Sequence, residues 1–131
     1  MMSMNGHRRT SAAAQRYAER RQREDDAPRL GSEVPGLVGL RLTIEETSAA
    51  SALSAPKHVR HIVVATAPAL FFVPCGDPRC TEGGCDITAE VMAGLRAHQV
   101  HFEGEQECRG ILGSANCARV IRFQAEAEYG A

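Results

Sequence analysis

All five cysteines of this chain lie between Cys75 and Cys117, spaced C-x4-C-x4-C-x22-C-x8-C. Two short stretches rich in glycine and proline carry them, PCGDPRCTEGGC and ECRGILGSANC, with a helical pattern in between. Four thiolates on two such loops can enclose one divalent ion tetrahedrally, which is how structural zinc sites are built. An odd cysteine count fits a set of disulfides poorly, because one thiol is left over. In a reducing compartment the cluster points instead to metal binding or thiol chemistry. The spacing matches no common finger pattern, so it specifies sulfur ligands without specifying a finger class.

The expected zinc ligands are Cys75, Cys80, Cys108 and Cys117, one pair on each loop, where strands end and begin. Cys85 is the fifth thiol and stands at the entrance to the helical segment. Free N–H groups and the macrodipole stabilise a thiolate at such a place. Cys85 is therefore an alternative ligand, displacing Cys75 or Cys80, or a free thiol, which is either reactive with a low pKa or, as is commoner, buried and inert. His98 with His101, at i,i+3 near the helix end, could reach a metal, and His58 with His61 flank the second strand, but a surface or helix-end position is the expectation for each. No phosphate-cradling glycine motif, H-E-x-x-H, G-x-S-x-G or deaminase signature occurs, so no catalytic residue is assigned.

Periodicity organises the remainder into an α+β domain over residues 35–131. Val38, Leu40, Leu42 and Ile44 alternate with Gly39, Arg41, Thr43 and Glu45, which predicts a strand with one buried face. Thr47 to Pro56 reads as a loop or a short helical turn. His58 to Val73 reads as a second strand, with Pro68 bending it or lying at a sheet edge. Asp86 is the expected N-cap of a helix reaching about His98 or Gln99, with Ile87, Val91, Met92 and Leu95 as its apolar stripe. Gly94 within it suits close approach to a sheet. His101 to Gln106 reads as a polar connection. Ile121, Phe123, Ala125, Ala127 and Tyr129 then share one face of a last strand. The expected fold is a small ββαβ domain: a mixed sheet with one packed helix and zinc-stapled loops at one end. Strand order stays open, because the 43-residue connection from Pro74 to Asn116 permits a parallel crossover or a return to either edge.

Residues 1–34 read as a separate basic arm, disordered or marginally helical. The first 30 residues hold seven arginines against four acidic residues, and the rest holds eight basic against twelve acidic. SAAAQRYAERRQREDD is rich in helix formers but offers only Ala14, Tyr17 and Ala18 for burial. Pro28, Gly31, Pro35 and Gly36 mark a linker. Arg16, Arg20, Arg21 and Arg23 are the candidate nucleic-acid contacts, although interspersed acids favour a solvated tail. No apolar segment of the secretory type follows Met1 to Arg9. The longest apolar run, Ile62 to Val73, is interrupted by Thr66 and Pro68 and is too short to span a bilayer. The expectation is a cytoplasmic, non-enzymatic zinc-binding module. It would engage a protein partner, self-associate through an unpaired edge strand, or bind nucleic acid through the arm. The alternative is a small thiol-dependent enzyme or redox sensor using Cys85 or a cysteine pair.

Overall fold

Four segments with two-residue periodicity form one sheet in the computed structural model, which describes residues 11–47 and 57–130 except 78, 82 and 118. They are β1 (Leu37–Thr47), β2 (Lys57–Ile62), β5 (His101–Glu107) and β8 (Val120–Tyr129), in the order β2-β1-β8-β5. Every pairing is antiparallel. The expected mixed sheet is thus corrected: the long connection after β2 returns to the far edge without making a parallel neighbour. Two short pairs complete the strands among the described residues. β3 (Phe72–Val73) pairs with β4 (Cys85–Asp86), and β6 (Ile111–Leu112) pairs with β7 (Ala115–Asn116).

The ββαβ order is also corrected, because the polar connection His101–Gln106 is the edge strand β5. Its inward positions are Phe102, Gly104 and Gln106, which offer little apolar alternation to read. Gly104 takes the place of a larger side chain because the ring of Phe123 lies against it. A Cβ there would approach Phe123 Cε1 to 2.8 Å.

One face of the sheet is covered by α3 (Thr88–Arg96), whose Val91, Met92 and Leu95 are buried with Ile87 just before it. Leu42, Ile44, Ile121 and Phe123 face them and are fully enclosed. Gly94 lets the helix approach the sheet as expected, since a Cβ would reach Phe102 Cε2 at 2.5 Å. Asp86 does not hold the N-cap position, which falls to Ile87, but its Oδ1 accepts the Thr88 N–H at 2.9 Å. The helix ends in a Schellman arrangement. The His98 N–H bonds Leu95 O and the Gln99 N–H bonds Gly94 O, with His98 at φ 55° where glycine is usual.

β1 departs from strict alternation. Its register shifts between Leu37 and Gly39, so Leu37 turns inward and Val38 is 60% exposed. The long second strand ends at Ile62, where the Thr66 and Ala67 N–H groups close a turn on Val63 O, five residues before Pro68. Pro68 itself bridges Arg29. Thr47 to Pro56 lies outside the described residues from position 48, as do residues 1–10.

The linker reading is corrected as well. Residues 30–33 form a short helical turn, α2 (Leu30–Glu33), and Leu30 and Val34 belong to the core. Before it, α1 (Ala12–Asp26) is helical, with the Ser11 hydroxyl accepting the Ala14 N–H. Among its described side chains Arg16, Arg20 and Glu24 are half-buried, four residues apart, and Ala27 at the C-cap continues the same face. Contact comes from amphipathic side chains in place of an apolar stripe: the Arg20 guanidinium lies 5.4 Å from the Phe72 ring centroid. Arg29 then donates to Glu24 O and Ala27 O at the helix end and to Thr66 O.

Candidate metal centre

The cluster is assembled where β1 ends and β8 begins. Cys75 follows β3 by one residue after Pro74, and Cys80 lies in a turn closed by its own N–H on Asp77 O. Cys108 directly follows β5, and its N–H bonds Arg119 O at 2.7 Å, which holds it beside the start of β8. Cys117 directly follows β7, with its N–H on Gly110 O at 2.8 Å. Between these last two, the β6–β7 hairpin turns through Gly113-Ser114. Gly113 takes φ 62° at the first central position and Ser114 stays negative, the signature of a type II′ turn.

The two loops are joined by reciprocal backbone bonds of 3.0 Å between Thr81 and Ile111. That bridge brings Cys75, Cys80, Cys108 and Cys117 together, and their sulfurs all lie within 4.8 Å of one another. Cys75 and Cys117 are 3.8 Å apart, and Cys80 and Cys108 are 3.7 Å apart. A metal at about 2.3 Å from each of four sulfurs has tetrahedral edges of about 3.8 Å. The four-cysteine set can therefore hold a metal ion without rearrangement of these two pairs.

Two glycines leave room for the sulfurs. A Cβ on Gly83 would collide with Cys80 Sγ and come within 2.8 Å of Cys108 Sγ; one on Gly110 would also meet Cys80 Sγ. The backbone supplies positive dipoles as well. Cys108 Sγ accepts N–H groups from Gly84 at 3.1 Å and Gly110 at 3.4 Å, and Cys75 Sγ accepts that of Asp77 at 3.5 Å. Burial by itself raises the Cys108 thiol, but these N–H groups and the neighbouring thiols Cys80 and Cys117 outweigh it and bring its pKa below the ordinary value. Burial pushes Cys75 up to about 11 and raises Cys80 too. Cys108 thus ionises before Cys75 and Cys80, and the raised thiols would release protons on binding a cation.

Cys85 stands apart. It is on β4 opposite Val73, only 3% exposed, and packs within the hydrophobic core. Burial, reinforced by the negative charge of Cys108 and Cys75, pushes its thiol up to about 12. That is opposite to the low value a reactive thiol needs. Nor do the four described histidines join the cluster. His58 and His61 lie on β2 opposite Ile44 and Arg41. His98 stacks on Tyr129 with centroids 4.6 Å apart, and His101 lies beside Glu126. Of the arm's arginines, Arg20 packs on Phe72 while Arg21 bonds Tyr17 within the helix; Arg16 is half-buried and Arg23 exposed.

One residue at the site had a readable signal that the alternation argument passed over. Glu46 is two positions beyond Ile44, so it points to the core side of β1, and it is 7% exposed. Its Oε1 accepts the Gly76 N–H and the Arg119 Nε–H, each at 2.9 Å. A carboxylate in phase with a row of buried aliphatic residues calls for buried partners.

No family model, curated protein or solved structure matches this chain. What can be said of its chemistry rests on the cluster's own geometry. Among the described residues, no helix is long and apolar enough to cross a membrane.

Proposed function

We propose that the chain is a non-enzymatic interaction module whose cysteine loops are held in shape by one zinc ion on Cys75, Cys80, Cys108 and Cys117. The observation that carries this reading is the pair of sulfur separations, 3.8 and 3.7 Å, which equal the edges of a tetrahedral four-sulfur shell. Such a shell is closed. It leaves no position for water or substrate, so the ion is structural and not catalytic. The alternative of a thiol enzyme loses its best nucleophile in the buried, high-pKa Cys85. The partner is a protein, and β2 and β5 are the edges that offer it backbone hydrogen bonds.

The test is metal analysis of protein purified without chelator, combined with thiol counting before and after a strong chelator. One zinc per chain, with four thiols protected until the chelator is added, is the expected result. Iron at the same stoichiometry would replace the metal and keep the ligands, since a tetrahedral four-sulfur shell suits both. Metal-free protein with a single hyper-reactive thiol would overturn the module and favour the enzyme.

A further inference from the structure

Among the described residues Glu46 hydrogen-bonds to no sulfur, yet it is joined to both cysteine loops. Its Oε1 accepts the N–H of Gly76, the residue after Cys75, and the Nε–H of Arg119, two residues after Cys117. The carboxylate sits at the end of β1, where Glu46 is in register with Ile121 of β8. It fills its space closely, since a Cβ on Gly76 would lie 2.6 Å from Glu46 Oε2. Arg119 is tied to the other pair a second time, because its carbonyl accepts the Cys108 N–H. One ion pair, of a buried Glu46 and a half-buried Arg119, therefore fastens the backbone beside three of the four candidate ligands to the two central strands.

We infer that Glu46 and Arg119 are positioning residues for the metal, so that affinity at the cysteine cluster depends on a carboxylate that is outside the four-sulfur set and holds the backbone beside it. This rests on the metal-binding reading above. Residues that orient ligands from behind commonly set metal affinity by about 10- to 100-fold.

The sign of the effect separates positioning from charge. A divalent ion with four thiolates carries a net charge of −2. Removing Glu46 takes away a nearby negative charge and leaves Arg119 free to face the sulfurs. On electrostatic grounds alone, Glu46→Ala should bind metal as well as the parent or better. If Glu46 acts by holding the loops, the same substitution must weaken binding.

The experiment is a competition titration of zinc between the full chain and a chromophoric chelator, with far-UV circular dichroism to confirm that the sheet is folded. Glu46→Ala is expected to lose about 10- to 100-fold in zinc affinity. Glu46→Gln keeps an oxygen for the Gly76 N–H and should lose less. Arg119→Ala should lose affinity as well. Parental or tighter binding by a folded Glu46→Ala overturns the inference. Should Glu46→Ala fail to fold, Glu46→Gln and Arg119→Lys decide, and parental affinity in both overturns it equally. A parent chain that takes up no zinc, cobalt or iron sinks the metal-binding reading itself, which is a different result from a metal-binding parent whose variants are unaffected.

Discussion

The sheet and the cysteine loops are built on different physics. In the sheet, β1 and β8 share ten residue pairings, and Leu42, Ile44, Ile121 and Phe123 are sealed under α3. In the loops, Gly110 is the only buried residue among those described in 74–84 and 109–119, and the strands there are two residues long. What fills the centre of the loops is sulfur. Cys108 is buried yet lies outside the hydrophobic core, whereas Cys85 is buried within it. Identical side chains a short distance apart thus serve two roles, one as candidate ligand and one as a small apolar filler. Burial of aliphatic surface can sustain the first region without help; the second has too little apolar surface to repay the entropy of ordering its loops.

The largest effect should come from taking metal away. A closed zinc site is worth on the order of 10 kcal/mol in small finger peptides. The loops' own backbone bonds, such as Thr81 to Ile111 and Cys117 to Gly110, contribute about 1 kcal/mol each. After treatment with a strong chelator, hydrogen exchange at the amides of Thr81, Ile111 and Cys117 should become fast, while β1 and β8 stay protected. Protection that survives in the loops of the stripped protein would show that they stand without ligation. Equal loss in both regions would show that they unfold as one unit.

Phe123→Ala approaches the comparison from the other side. The ring is fully buried, packs edge-on against Phe102 and covers Gly104. Its removal should cost about 3–5 kcal/mol, read as a lower denaturation midpoint of the metal-loaded protein. Metal stoichiometry in buffer should not change as long as the variant remains folded. A folded variant that binds less metal would mean that the sheet's packing sets the sulfur positions directly, beyond what Glu46 and Arg119 transmit.

How far the sequence could be read follows the same division. β8 was legible because Ile121, Phe123, Ala125 and Ala127 keep strict phase and all four are buried. The cysteine set was legible because metal-binding residue types are few and the loops around them are rich in turn formers. β5 was hidden because its inward row is Phe102, Gly104 and Gln106. One position is emptied for a neighbour's ring, and another carries an amide that bonds Glu90. Leu30 and Val34 were hidden by the prolines and glycines around them, which mark a chain reversal without saying whether the side chains between them are buried. The inward turn of Leu37 depends on a register shift against β8, a pairing that local alternation does not record.

The smallest effect concerns His98, which belongs wholly to the sheet side of the comparison. Its φ of 55° places an L residue in the left-handed region, at a cost of roughly 1–2 kcal/mol relative to glycine. Against this stands the stack of its ring on Tyr129, with planes 3° apart, worth about 0.5 kcal/mol at so exposed a position. Glycine relieves the strain but loses the stack and adds freedom to the unfolded chain, so His98→Gly should be nearly neutral. Alanine loses the stack and keeps the strain. His98→Gly should therefore be more stable than His98→Ala by about 1 kcal/mol, the reverse of their order inside a helix. Thermal denaturation of the two metal-loaded variants measures the difference, and zinc affinity should be the same in both. Alanine equal to or above glycine would mean that the helix does not end in a left-handed residue; unequal zinc affinities would mean that the end of α3 and the cysteine loops are energetically linked.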